Sequence, residues 1–477
     1  MRLLRVETPL GLFSVLWAVG AALHDLEDEP LAGLPLYPFA VLLLLYPERI
    51  WAIATFALAH AALLFLKLPA AANHSVLALM VDVCLLIGCV HALWSGPAAS
   101  RRRRLWEALR GPIQATVLVV YGFAVFHKLN SSFFDPEVSC AVTQLAKLFR
   151  MHGLHAWPRD LSILGFNMYL TPLAEAAILV LLLWPRFVHV GVLTGLVFHI
   201  GVAWARFFDF ATVVFALYLF FLPWDGIERN AQRIPRWAGR CFVACLVALA
   251  ATSFYFYGVR MDPVILDEPR WSLQADTLIC LFWTLMILPI LLPIFSRREP
   301  TPGDRRWTGA PLPWLIPAIA LLNGATPYLG LKTVANYSMF SNLRTEGGRT
   351  NHFLIPAGRL FIANYQNDLV RVESIERVLP DRWPWWVRLS GSPRDPRWLS
   401  EVPGARVPFV EVRRTFQSWR AMGVQSASIE YERNGDEHAV RDAFADAEIM
   451  RPMPFWERKL LAFRAVQDDG EESACRW

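Results

Sequence analysis

Charge is the first thing this sequence has little of. Only 18% of its 477 residues are Asp, Glu, Lys or Arg, while 55% are hydrophobic and the mean hydropathy is +0.35. Ordinary soluble domains sit nearer a quarter charged, so the shortfall points away from them and toward the bilayer. Chemistry-bearing motifs are scarce as well. There is no HExxH, no CxxC, no glycine-rich phosphate loop, and none of the HxxxH and HxxHH boxes of membrane di-iron desaturases. Metal and nucleotide chemistry therefore lack their ligands, and no metal site is expected. The HxxH pair His152 and His155 is too small a set to change that. No internal repeat is evident, and the one low-complexity run is Arg101 to Arg104. The net charge of +5 calls for no nucleic-acid partner, because it comes largely from arginines in short loops between apolar runs.

Long apolar runs are what the chain has in quantity. A bilayer core needs about 20 apolar residues of helix. Runs of that kind lie near 8–24, 33–46, 50–67, 75–95, 112–129, 163–184, 187–204, 207–223, 241–258, 273–295 and 313–331. The second is the weakest, being short and carrying Pro35 and Pro38. The fold class expected is a predominantly α, polytopic bundle of about 10–11 spans. The acidic cluster after the first run speaks against a cleaved signal peptide and for a retained anchor. Placing the N-terminus in the cytoplasm puts the arginine-rich loops, Arg101 to Arg104 and Arg229 to Arg240 among them, on one side. The positive-inside rule then predicts N-in, C-out.

Residues 1–332 form the expected helical domain, and 333–477 a small extracytoplasmic α+β domain. In the latter, Phe409, Val412, Phe416 and Trp419 fall on one helical face, with Gly423 as the cap. Asn434-Gly435 reads as a hairpin turn between alternating segments, and "KLLAFRAVQ" as one more strand. A surface helix is expected around Cys140 to His152. Cys140 and Cys475 are the two cysteines on the outer side, as free thiols or as a disulfide.

The residue of greatest chemical interest is Lys128, in "YGFAVFHKLNSSFFD". At the end of a span a lysine usually snorkels to the headgroups. One held inside the apolar region is a functional-site candidate, because desolvation disfavours the ammonium and favours an amine able to act as a base. His60, His74, His91, His127, His189 and His199 lie in or beside spans, more than bland packing requires. Asp82, Glu175 and Asp276 are carboxylates within or near spans, each either a hydrogen-bonded packing group or part of a proton or ion path.

Four stretches together resemble one family, the vitamin K-dependent gamma-glutamyl carboxylases and the bacterial proteins that share their horizontally transferred transmembrane (HTTM) domain. They are "NHSVLALMVDVCLLIGCVHALWS", "YGFAVFHKLNSSFF", "FHIGVAWARFFDFATVVFALYLFFLP" and "TPYLGLKTVANYSMFSNLRTEGGRTNHFLIP", spread over residues 73–356. The resemblance implies a membrane enzyme of the lyase class, in a bacterial inner membrane. A neutral lysine there deprotonates a hydroquinone of the reduced vitamin K or menaquinol type. Oxygen converts the quinol anion to an epoxide through a strongly basic alkoxide, which removes a γ-proton from a glutamate of a peptide or protein, and carbon dioxide adds to the carbanion. Lys128 matches the lysine of that motif and His74 a histidine used near the carbanion step, while Asn73, His91, His127 and His199 are looser pocket candidates. The family's small residue ahead of the lysine is replaced here by Val125, and the outer domain of about 145 residues is short beside that of the animal enzymes. Two other functions stay open on the same scaffold: a non-enzymatic or transport protein lined by Glu175 and Asp82, and a quinone-linked oxidoreductase that fixes no carbon dioxide.

Overall fold

A computed structural model of the chain describes residues 6, 8–28, 35–69, 71–154, 161–253, 255, 269–295, 307, 309–358, 360–380, 406–466 and 475. His155 and the arginines at 297, 298, 305 and 306 lie outside the described residues. The chain divides into two compact units: Met1–Leu66, His74–Val125 and Ala141–Leu321 in the first, Lys67–Asn73, Phe126–Cys140 and Leu322–Trp477 in the second. The second therefore also holds two short stretches that lie at the ends of apolar runs.

The first unit is helical. Its elements are α1 (Pro9–Asp28), α2 (Tyr37–Leu45), α3 (Ile50–Lys67), α4 (Asn73–Trp94), α5 (Arg101–His127), α6 (Cys140–Met151), α7 (Leu161–Leu183), α8 (Val188–Val202), α9 (Phe208–Tyr218), α10 (Trp224–Ala231), α11 (Arg236–Ser253), α12 (Pro269–Phe295) and α13 (Leu315–Ala325). The first residue of α4 and of α6, and the last residues of α3, α5 and α13, belong to the second unit.

Among the described residues, six helical segments are long and apolar enough to cross a membrane: Ile50–Lys67, Asn73–Trp94, Ala98–His127, Ile163–Leu183, Pro185–Phe207 and Asp276–Phe295. A seventh is counted if the pair Phe210–Phe221 and Trp224–Ala231, bent by 118°, is taken as one span. That is fewer than the 10–11 expected, and three of the five missing runs have identifiable reasons. α2 has only nine residues, about 13 Å of helix against a hydrocarbon core of about 30 Å. The run 207–223 stops at Pro223, where the chain turns. The run 313–331 keeps its helix only to Ala325, ahead of Pro327. On the helices that do qualify, Leu66, Phe166, Leu173 and Val197 are 62–72% exposed. Large apolar side chains in the open are what a lipid-facing surface presents.

Between helices the packing is close, as it must be where lipid supplies no hydrophobic drive. A Cβ on Gly88 would meet Leu109 at 2.7 Å, and one on Gly191 would meet the backbone of Leu182 at 2.9 Å. Polar groups tie helices together. Trp17 Nε1 donates to Asp82 Oδ1 (2.9 Å), and His60 Nδ1 lies 2.7 Å from Asp82 Oδ2, all three residues buried. Arg110 and Gln114 both donate to the Phe220 carbonyl, which is left without a helical partner where α9 ends.

The second unit contains a four-stranded antiparallel sheet in the order β2-β1-β3-β4, with β1 (Leu369–Val378), β2 (Arg406–Pro408), β3 (Ser426–Arg433) and β4 (Asp436–Val440). Helix α14 (Phe409–Met422) covers it. Phe409, Val412, Phe416 and Trp419 are buried with Val370, Val407, Ile429 and Tyr431, and Gly423 caps the helix at φ +91°. Asn434 and Gly435, both at positive φ, make the tight turn between β3 and β4. In "KLLAFRAVQ" residue 459 still belongs to a helix, residue 467 lies outside the described residues, and the stretch between them is not a strand. It follows a short helix α15 (Phe455–Lys459) and pairs with the sheet only through one isolated bridge, Arg406 to Val466. Its backbone groups are used elsewhere: Phe463 N–H donates to Glu411 Oε1, and the Ala462 carbonyl accepts from Thr333 and Val334.

Cys140 and Cys475 are joined by a disulfide across a sequence separation of 335 residues. Converting both to serine is expected to lower the stability of the second unit by about 2–4 kcal/mol, read from its urea midpoint in detergent. Peptide mapping without reductant should recover the two cysteines in one cross-linked fragment. Recovery as two free thiols would contradict the bridge.

Candidate functional site

In the second unit, α5 ends at His127-Lys128, and Asn130 organises the exit. Its Nδ2 donates to His127 O (2.8 Å) and to Ser341 O (2.6 Å), while its Oδ1 accepts from Phe133 N (2.9 Å) and Asn351 Nδ2 (3.2 Å). An asparagine with every polar atom used fixes the chain immediately after the lysine. Lys128 is only 2% exposed and His127 fully buried. A snorkelling lysine holds its ammonium in the open. Lys128 does not.

Aromatic groups surround this exit. His127 Nε2 lies 3.1 Å from the Gly324 carbonyl, so that nitrogen carries the proton and donates. The Phe126 ring packs on His352 (4.6 Å between centroids) and Tyr328 (5.5 Å), and His127 on Tyr328 (5.6 Å). His352 is locked in one tautomer: Nε2 donates to Phe126 O, and Nδ1 accepts from the backbone of Leu354 and Ile355. Burial pushes the His352 imidazole below its ordinary range, consistent with a neutral ring.

The segment after α13 is joined to this exit, Ser341 O accepting from Asn130. Ala335, Tyr337, Phe340 and Asn342 all have positive φ, between +54° and +69°. Four non-glycine residues in that region within eight positions store strain, of order 1–3 kcal/mol each, such as surrounds functional sites. Polar side chains from neighbouring segments hold it in place. Asn73 Oδ1 accepts from Tyr337 N (2.5 Å), Asn323 Nδ2 donates to Ala335 O (3.0 Å), and the His127 ring reaches the Tyr337 backbone. Asn73 and His127 thus meet at one residue.

Lys332 lies in the same unit and was missed from the sequence. At the end of the run 313–331 it reads as one more interfacial lysine. It is instead 8% exposed, and burial pushes its amine down to about 8.

The first unit gathers another set of groups. Tyr121 OH lies 2.5 Å from His199 Nε2 and also hydrogen-bonds the Tyr218 hydroxyl, all three buried. His199 Nδ1 has no hydrogen-bond partner among the described residues. A bare lone pair costs less there than an unsatisfied N–H, so Nε2–H donates to Tyr121, whose own proton passes to Tyr218. Gly195 makes this possible, since a Cβ would fall 2.0 Å from the Tyr218 hydroxyl. The rings of His74 and His199 both contact Phe210, at 6.4 and 5.3 Å. Glu175 is within electrostatic reach of Tyr121. His91 joins neither group: it stands exposed near the C-terminal end of α4, 17 residues and about 25 Å of helix from His74. Asp82 is engaged by Trp17 and His60, as described above.

Between α8 and α9 the helix is broken at Ala203–Phe207, where Arg206 has φ +71°. Arg206 pairs with Asp276 (3.2 Å), and His152 bridges the Trp204 carbonyl and Thr277 Oγ1. Among the described residues no group of three or more His, Cys, Asp or Glu could hold a metal ion. No family model, curated protein or solved structure matches the chain.

Proposed function

We propose that the protein is an integral membrane enzyme that uses Lys128 as a base on a lipid-soluble hydroquinone, coupled, as in the carboxylases it resembles, to epoxidation by oxygen and addition of carbon dioxide to a glutamate of a peptide or protein. The observation that carries this is the burial of Lys128 at the end of an apolar helix, 2% exposed. A lysine placed there for topology has no need to be enclosed.

The chemistry asks for such an enclosure. A lysine takes a hydroquinone proton only as the uncharged amine, and the strong base formed afterwards is quenched by bulk water. The mutually packed rings of Phe126, Tyr328 and His352 make the surroundings of this helix end apolar. His352 has its N–H donated to Phe126 O and its lone pair engaged by the Leu354 and Ile355 amides, so its imidazole does not compete for the quinol proton. His74 is assigned to the carbanion and carbon dioxide step, and Tyr121, His199 and Tyr218 to a hydrogen-bonded relay in the first unit. An N-in, C-out topology accompanies this assignment; it needs an odd number of membrane passages, more than the six long apolar helices.

The test uses purified protein in vesicles with reduced vitamin K, oxygen, labelled bicarbonate and a glutamate-containing peptide. Formation of the epoxide together with acid-stable label in the peptide is the expected result. Epoxide without label supports the quinol half alone. Absence of both, in protein with its disulfide intact, contradicts the proposal.

A further inference from the structure

We propose that the second unit carries an apolar rim that enters the membrane interface, with bilayer lipid as its partner. Phe353, Leu354, Ile362, Phe455, Trp456 and Leu460 are 59, 64, 72, 49, 54 and 47% exposed. Large apolar side chains scattered singly over a surface need no explanation. These fall in three short tips, and each tip is pinned to a place where the chain has just left an apolar helix.

Phe353 N–H donates to Leu129 O (2.9 Å), two residues beyond the end of α5 at His127. Ile362 N–H donates to Leu329 O (3.1 Å), four residues beyond the end of α13 at Ala325. Lys459 Nζ donates to Leu68 O (3.1 Å), the residue after α3 ends at Lys67. α3 and α5 are among the helices long and apolar enough to cross a bilayer, and α13 is a shorter apolar one. The hydrocarbon ends where such helices end. A tip hydrogen-bonded within four residues of that point therefore sits at interfacial depth, whatever the thickness of the membrane.

The residue types agree with that depth. α15 presents Phe455 and Trp456 beside Arg458 and Lys459, the pairing of an aromatic ring with a cation that headgroup regions select. Its Glu457 is turned inward and paired with Arg413, so no carboxylate faces anionic headgroups from this turn. The β3–β4 hairpin is different in kind: Asp436 and Glu437 are exposed and polar. A second copy of the chain could also cover apolar tips, but it would have no reason to place all three at helix exits. The rim rests on the membrane-spanning helices alone and is independent of the activity proposed for Lys128.

The experiment places a photoreactive p-benzoylphenylalanine at Leu354, Ile362, Trp456 or Glu437, one at a time. The full chain is reconstituted in phosphatidylcholine vesicles containing a clickable phospholipid, and each variant is first checked for the intact Cys140–Cys475 link. Irradiation is expected to give about tenfold more lipid adduct at positions 354, 362 and 456 than at 437. Equal adduct at all four positions overturns the proposal. So does a product of twice the chain mass at the first three in place of lipid, since that identifies a second copy as the occupant.

Discussion

Glu346→Gln is expected to destabilise the second unit by about 3–5 kcal/mol, measured as a fall in its urea midpoint in detergent followed by limited proteolysis. Glu346 is completely buried and pairs with Arg464 (2.8 Å), while its other oxygen accepts the Thr345 N–H. The amide keeps the shape but removes the charge, leaving a guanidinium 13% exposed without its counter-ion. Arg464 in turn anchors "KLLAFRAVQ", since its backbone N–H donates to Thr333 Oγ1. Glu346→Gln combined with Arg464→Met should recover much of the loss, because an apolar pair avoids the unpaired charge. A double variant as unstable as the sum of two singles would show that the two groups do not interact.

The same pair gives a pH dependence of determined sign. Burial by itself raises the Glu346 carboxyl, but the Arg464 guanidinium and the Thr345 N–H outweigh it and hold the group below its ordinary 4.5. A carboxyl whose value is lower in the folded than in the unfolded chain contributes stability above the unfolded value and loses it as pH falls through the folded one. The second unit should therefore hold its stability down to about pH 4.5 and lose it progressively below. Glu346→Gln should flatten that acid limb.

What could be read from the chain alone was whatever rests on local pattern. The face of α14, its glycine cap and the Asn434-Gly435 turn are set by neighbours within four residues, and the structure has all three. The apolar helices of a membrane chain were legible for the same reason, though their number was not. Hydropathy does not register the turn after Pro223, the break at Ala203–Phe207 or the nine-residue length of α2. Distant pairings leave still less local trace. Asp82 engages Trp17 and His60 from 65 and 22 positions away, Arg464 is drawn to Glu346 across 118, and Lys332 looks interfacial until its burial is known. The four left-handed residues between Ala335 and Asn342 are equally silent, since none is a glycine.

Lys128 carries the functional account, and replacing it has the largest expected effect on activity. Removing a positioned base typically lowers a rate about 10²–10⁴-fold. Lys128→Arg sharpens the meaning of that loss. It keeps a cation at the helix end and so preserves any role in topology or headgroup binding, but a guanidinium does not give up its proton and cannot serve as a base. Lys332→Met controls for the second buried lysine. It should leave turnover within about threefold of wild type if Lys128 alone takes the quinol proton. A loss at Lys332 with none at Lys128 would move the base to the segment after α13.

The most direct measurement is the yield of vitamin K epoxide from the hydroquinone in vesicles, compared between wild type, Lys128→Ala and Lys128→Arg at equal amounts of disulfide-intact protein. Epoxide from the wild type and about a hundredfold less or lower from both variants is the result predicted. Equal epoxide from all three would contradict it and return Lys128 to the role of a buried structural cation.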